Sequence, residues 1–360
     1  MKTIALTMIV KNEERSLARC LQSVRPWVDQ MIVLDTGSTD QTMAIARAEG
    51  AEVHQRRWTH DFSAARNAAL ALSQADWNLI LDADEWLISG GEYLHDLRKA
   101  AQPAVHYVRL QNQLSEDDPS LVDHGMITRI LPRGVRYQGR IHEQPVHKLP
   151  TLMSSLVIGH DGYQPAQRAT KATRNLDLLM AEVQAHPDDA YYQYQLGKEH
   201  DSLQHPQQAL THYQRAYQLD RTHPAWRHDL IIRMLECLKR SEQLAQAIEL
   251  ASMELEHWQH SPDFHYVAAT LMAEQLKQHP QQQAEYLPLV EALCLQALQL
   301  GDVPTLTGAV SGRGSFLAAH LLWETYERLG KTEEAREAQS LCEALYLKQR
   351  QQASMSQTAI

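Results

Sequence analysis

Trp77-Asn78-Leu79-Ile80-Leu81-Asp82-Ala83-Asp84-Glu85-Trp86 is an apolar run that ends abruptly in three acids. A short apolar stretch closed by turn-forming residues reads as a buried strand, and the acids then fall at its carboxyl end. Two carboxylates at alternate positions there supply hard oxygen ligands for a divalent cation, which in turn can carry a diphosphate. An acid at a strand end can equally be a helix cap or a turn former. Asp82 and Asp84 together fit that reading poorly, because two acids between Leu81 and Trp86 would be buried without a partner.

Upstream, the pattern repeats. Thr3 to Val10 is a β-rich run, and Leu17, Cys20, Leu21 and Val24 then recur on one face of a helix, with Glu13 and Glu14 where the helix dipole favours negative charge. Met31-Ile32-Val33-Leu34 is a second strand that again ends in an acid, within Asp35-Thr36-Gly37-Ser38-Thr39-Asp40. Ser38 or Thr39 is suited to cap a second helix that runs to Gly50, and Asp40 to act as a capping or first-turn acid. Ala51 to His54 reads as a third strand and Ser63 to Ser73 as a third helix that carries Arg66 and Asn67. Strands alternating with helices predict an α/β fold with a mostly parallel, Rossmann-like sheet. Ligands of such sheets bind at the carboxyl ends of the strands, where Lys11-Asn12, Asp35 and Asp82-Ala83-Asp84 should converge.

Ile9-Val10-Lys11-Asn12-Glu13, Asp35-Thr36-Gly37-Ser38-Thr39-Asp40, Ala65-Arg66-Asn67 and Asp82-Ala83-Asp84-Glu85 stand in the order and approximate spacing of family 2 glycosyltransferases, which have the GT-A fold. The resemblance covers roughly residues 1–165. It implies an inverting, metal-dependent transferase that moves a hexose from a nucleotide diphosphate sugar, a UDP-hexose, with Mg2+ or Mn2+ as cofactor. By resemblance, Val10, Asn12, Glu13, Asp35, Arg66 and Asp82 line the donor site. Asp35 would contact the nucleobase or ribose, Arg66 would lie near the nucleotide, and Asp82 would meet ribose or metal-bound water. Asp84 would ligate the metal, with His160 completing the site. The chain departs from the family where many members have Pro-x-Tyr-Asn, since Ile9-Val10-Lys11-Asn12 offers no tyrosine to stack on a base.

An inverting transfer needs a base on the acceptor side, because the nucleophile loses a proton while the diphosphate leaves from the opposite face. Within Tyr137-Gln138-Gly139-Arg140-Ile141-His142-Glu143-Gln144-Pro145, Glu143 is the first candidate and His142 the alternative. Neighbouring side chains of a strand point to opposite faces, so both can face a substrate only where the chain turns.

Beyond Gln164–Thr173 the composition shifts to Ala, Leu, Gln and His with helical periodicity. Leu196-Gly197, Ala209, Tyr213 and Ala216 have the spacing of a tetratricopeptide repeat, and Tyr326, Gly330 and Ala335 fit a second. The expected division is a GT-A catalytic domain over 1–165, a TPR-like helical domain over 174–348 and a disordered tail over 349–360. Gly301 to Ser315, with four glycines and Pro304, interrupts the repeats as a candidate functional loop. The helical domain would hold an acceptor, stabilise the enzyme or mediate a homodimer. Two acceptor classes follow from resemblance: a peptide or protein, as for bacterial peptide S-glycosyltransferases, or a glycan, as for lipopolysaccharide-core glucosyltransferases.

The formal charge of -10 on 360 residues argues against nucleic-acid binding. The four cysteines, Cys20, Cys237, Cys294 and Cys342, lack metal spacing, which predicts reduced, packed thiols. With no apolar run near ~20 residues and a core strand starting at Thr3, the expected location is cytoplasmic, at the inner membrane face where the acceptor is lipid-linked. Two rivals remain. A sugar nucleotidyltransferase would carry a Gly-rich loop after the first strand, where this chain has none, and a non-catalytic TPR scaffold would have lost an acid or the base, where this chain keeps all of them.

Overall fold

Seven residues, Ile4–Val10, form β1, a central strand whose side chains are buried on both faces, so it reads as a continuous apolar run rather than an alternation. The structure is a computed structural model that describes residues 1–358 except 115–117, 119–120 and 162–164, with the side chains of 165–173 and 352–358 left out. The composition change at Gln164 therefore begins outside the described residues. The chain continues through α1 (Leu17–Val24), β2 (Gln30–Asp35), α2 (Thr42–Ala48), β3 (Glu52–Gln55), α3 (Phe62–Leu72), β4 (Trp77–Ile80), β5 (Glu85–Ser89) and α4 (Glu92–Leu97). It then forms β6 (Val105–Gln113), β7 (Val122–Pro132), β8 (Arg136–Gln138), β9 (Gln144–Val146), β10 (Thr151–His160) and α5 (Pro165–Ala185).

The main sheet runs β3-β2-β1-β4-β7-β6-β10-β5, with β8 and β9 as a separate ribbon. Its first four strands are parallel, with Val10 beside Asp35 and Thr7 beside Ile80. Beyond β4 the sheet is mixed: β7 is antiparallel to β4, β10 parallel to β6, and β5 antiparallel to β10. Ile4, Leu6, Met8, Leu79 and Leu81 meet Leu17, Leu21 and Val24 of α1 in the core, each worth about 1.5–3 kcal/mol on burial.

Two local expectations change. Ser38 and Thr39 do not cap α2; the Ser38 hydroxyl accepts from Asn12 N (2.9 Å), while Asp40 Oδ1 accepts from Thr42 N (3.0 Å). Glu13 and Glu14 precede the first turn of α1, and Glu14 Oε2 accepts from Gln41 N at 3.0 Å instead. Asp61, not foreseen, caps α3 through a bond from Ala64 N at 2.8 Å.

The helical region comprises α6 (Ala190–Ser202), α7 (Pro206–Leu219), α8 (Arg227–Arg240), α9 (Leu244–Glu254), α10 (Pro262–Gln278), α11 (Gln283–Leu300), the short strand β11 (Ala309–Val310), α12 (Phe316–Arg328) and α13 (Thr332–Thr358). The helices pack as sequential pairs, α6 with α7, α10 with α11 and α12 with α13. A Cβ on Gly197 would strike the ring of Tyr213, so the glycine sets how closely α6 and α7 approach. Gly330, at φ 70°, turns the chain between α12 and α13. Compact units divide the chain differently from the sequence estimate: one is Met1–Gln113 with Met126–Gln184, the other Leu114–Gly125 with Ala185–Ile360. Helix α13 runs on to Thr358, past the 349 boundary. All four cysteines are buried and free. Among the described residues no helix is long and apolar enough to cross a membrane.

Candidate active site

Asp82 lies just beyond β4, where the chain leaves the sheet in a turn closed by Glu85 N donating to Asp82 O at 3.0 Å. Two buried arginines hold its carboxylate: Arg66 of α3 donates from Nη2 to Oδ1 and Arg129 of β7 from Nη2 to Oδ2, each at 2.7 Å. Arg66 also donates from Nε to Glu143 Oε1, and Arg129 from Nη2 to Glu85 Oε1. Glu143, Arg66, Asp82, Arg129 and Glu85 thus form one chain of charge-assisted hydrogen bonds. Burial alone would raise the Asp82 carboxyl, but the two guanidinium charges override it and hold it well below the usual carboxylate range. Glu85 is shifted the other way, because burial and the Asp82 charge outweigh Arg129.

Helix α3 places this network. Asn67 Nδ2 donates to Tyr137 O at 2.9 Å while Tyr137 N donates back to Asn67 Oδ1 at 2.8 Å. At the other end of the loop, Phe62 N donates to Arg140 O at 2.8 Å. The helix therefore grips β8 at Tyr137 and the β8–β9 connection at Arg140, and the loop brings Glu143 to Arg66. The chain does turn there, with His142 at φ 49°, so the condition for both residues to face one site is met. Tyr137 is buried beneath, its phenol pushed up to about 12 by burial.

Asp84 is buried two residues on, and its Oδ2 lies 3.6 Å from His160 Nε2 at the end of β10. The other His160 ring nitrogen, Nδ1, is 2.8 Å from Asn112 Oδ1 on β6. Burial opposes the charged imidazole, but the Asp84 hydrogen bond and charge raise it above its ordinary value. Among the described residues no three His, Cys, Asp or Glu side chains converge on one point. Asp84 and His160 are thus a two-residue pair, an oxygen and an imidazole. Nearby, Arg15 and Arg19 hold Asp161 at 2.9 and 2.5 Å, and the Arg19 guanidinium lies 3.7 Å over the Trp86 ring.

The remaining candidates sit at the ends of β1 and β2. Asp35 is fully buried; its Oδ1 accepts from Gly37 N (2.9 Å) and Ser38 N (3.0 Å), and its Oδ2 is enclosed without a partner. Asn12, in the left-handed region at φ 56°, accepts from Thr39 N through Oδ1 at 2.8 Å. Thr42 Oγ1 accepts from Glu13 N at 2.8 Å, and Val10 O accepts from Thr36 N at 2.9 Å. These bonds lace the two loops together through the backbone of Val10 and Glu13 and the side chain of Asn12.

Residues 6–123 match the family model described as glycosyl transferase family 2. The chain carries a family 2 glycosyltransferase domain. It is 33% identical over 272 residues, 69% of this chain and 65% of the other, to a TPR repeat-containing protein of Synechococcus elongatus. It is 26% identical over 270 residues, 71% of this chain and 63% of the other, to the SPbeta prophage-derived glycosyltransferase SunS of Bacillus subtilis. The chain thus spans less than two thirds of the length of these relatives. Among solved structures, MamA aligns with 55% of this chain and 98% of its own at 14% identity and a TM-score of 0.37. Glucosyl-3-phosphoglycerate synthase from Mycobacterium tuberculosis, solved with Mn2+, UDP and phosphoglyceric acid, aligns with 31% of this chain and 43% of its own at 24% identity and a TM-score of 0.25. The family match over residues 6–123 falls on the α/β domain, and the TPR repeat-containing relative agrees with the helices that follow it.

Sequence reasoning missed Arg129 and the partnering role of Glu85. Arg129 stands alone in Met126-Ile127-Thr128-Arg129-Ile130-Leu131, and a single charge inside an apolar strand needs an acid to meet.

Proposed function

We propose that the chain transfers a hexose, with inversion, from a nucleotide diphosphate sugar such as a UDP-hexose to a peptide or protein acceptor, in a metal-dependent reaction. The observation that supports this most is the continuous bonding from Glu143 through Arg66 to Asp82, with the Asp84–His160 pair two residues further on. One hydrogen-bonded set thereby joins a candidate base to a candidate donor group, and the candidate metal pair follows two residues along the chain.

The residues fit a divalent cation, since Asp84 offers hard oxygen and His160 an imidazole held by Asn112. Mg2+ or Mn2+ there would neutralise charge on the departing diphosphate. Asp35 keeps one enclosed carboxylate oxygen without a partner, which suits a ribose hydroxyl. Arg66 likewise keeps Nη1 enclosed and unpaired beside Asp82. Arg129 fixes the orientation of Asp82 from behind. Glu143 takes the proton of the acceptor nucleophile, and His142 at the turn lines the same approach.

A peptide is favoured over a glycan because the catalytic domain joined to C-terminal helices resembles peptide S-glycosyltransferases. Glu143→Gln, whose amide oxygen can still accept from Arg66, tests the base. The variant should bind UDP with Mn2+ as the unchanged protein does while transfer falls by about 10²–10⁴-fold. Transfer at the full rate would place the base elsewhere.

A further inference from the structure

The connection between β3 and α3, residues 56–61, carries an aromatic ring that the site as described leaves unused. Gln55 of β3 lies beside Asp35 of β2, and Arg56 N donates to Asp35 O at 2.9 Å. The connection therefore leaves the sheet at the carboxyl end of β2, next to Asp35. At its far end Asp61 Oδ1 accepts from Ala64 N at 2.8 Å and from Ser63 Oγ at 2.9 Å, and His60, at φ 56°, makes the turn into that cap.

Trp58 stands midway along this doubly anchored loop, two residues, or at most about 7 Å of chain, beyond Arg56. Its ring packs on Phe62 of α3, with centroids 4.8 Å apart and planes at 69°, and on His60 at 6.2 Å. Phe62 comes one helical turn, about 5.4 Å, before Arg66, which holds Asp82. Trp58 is thus bracketed by Asp35 on one side and by the helix that carries Arg66 on the other. It is half-buried, so part of its ring surface stays open.

A nucleobase presents a flat π-face that gains from stacking on an aromatic side chain. β1 ends in Ile9-Val10-Lys11-Asn12, which supplies no such ring. Asp35 keeps an enclosed carboxylate oxygen without a partner, an independent sign that a polar ligand group completes this end of the site. The strand order β3-β2-β1-β4 separates the two ends of the ligand, since Asp35 closes β2 while Asp82 and Asp84 follow β4 two places across the sheet. At about 4.8 Å per strand that is roughly 10 Å, a span that suits a nucleoside diphosphate with its base at β2–β3 and its diphosphate at β4. We propose that Trp58 is the platform on which the base of the donor nucleotide stacks. This rests on the donor-site reading and adds to it the residue that meets the base.

The test uses UDP and dihydro-UDP, whose saturated base is puckered and cannot stack, titrated calorimetrically into the full chain with Mn2+. The unchanged protein should bind UDP at least about tenfold tighter than dihydro-UDP, within what base–aromatic stacking supplies. Trp58→Leu, which keeps an apolar side chain against Phe62, should bind the two within about twofold of each other, and Trp58→Phe should recover part of the preference. A residue that only packs the loop would weaken both ligands alike and leave their ratio unchanged. That result, or UDP binding undiminished in Trp58→Leu, would overturn the proposal alone. Should Trp58→Leu fail to fold, the unchanged protein and Trp58→Phe decide: equal affinity of the unchanged protein for the two nucleotides overturns the proposal without any variant. Binding of neither nucleotide by the unchanged chain would overturn the uridine-donor reading together with it.

Discussion

Arg129 shows how one unforeseen side chain can hold a site together. With its side chain 5% exposed, it donates to Asp82 and Glu85 at once. Arg129→Met should leave two acids facing each other and destabilise the α/β unit by about 3–5 kcal/mol, read from urea unfolding. The acid side of the pH profile follows from Asp82. Its carboxyl is held below the unfolded value near 4, so its stabilisation is present above that value and is lost as pH falls towards the depressed folded one. Unfolding at stepped pH below 5 should show this loss, and Arg66→Met should shrink it. Asp82, Asp84 and Glu143 were singled out in the sequence as acids at a strand end or near a turn, and Arg66 through the family resemblance; the structure joins Asp82, Arg66 and Glu143 in one network. Arg129 was not singled out, since its partner is 44 residues away and only the β4–β7 pairing brings the two together.

At the scale of elements, the strands and helices from β1 to β4 were read closely, as apolar periodicity marks them, whereas α4 and β5 to β10 were given no bounds from the sequence. What periodicity could not give was loop bonding. Ser38 and Thr39 look like caps, but Asn12 claims both, and the helix start falls to Asp40. The Gly301–Ser315 segment was visible only as an interruption, because β11 is two residues long and its partner strand is distant in sequence. Its carboxylates give a prediction. Burial pushes Asp123 and Asp263 up to about 6, against Arg233, Lys198 and Arg313 in the first case and Arg313 in the second. Groups raised in the folded state stabilise it below their unfolded value near 4 and lose that contribution as pH rises through about 6. Exchange at Gly308 and Ser311, whose amides bond to His124 O and Val122 O, should therefore speed up between pH 5 and pH 7 once corrected for intrinsic rates. In the repeats, Gly197→Val should cost about 1–3 kcal/mol by forcing α6 from Tyr213.

Across the whole molecule, the chain passes between its two compact units three times, at 113/114, 125/126 and 184/185. Removing the helices is therefore no simple truncation, since a cut after Ala185 strips Leu114–Gly125 of β11. A 1–185 fragment should aggregate, and replacing 114–125 by a short turn should restore its solubility in size-exclusion chromatography. The central claim concerns the donor site at the strand ends, and release of nucleoside diphosphate from UDP-, GDP- and dTDP-sugars with Mn2+ tests it most directly, comparing the full chain with Asp84→Asn. Release from one donor that is lost in Asp84→Asn, with the variant still folded, is the predicted result. Equal release from both proteins, or neither binding nor hydrolysis of any donor, would contradict it.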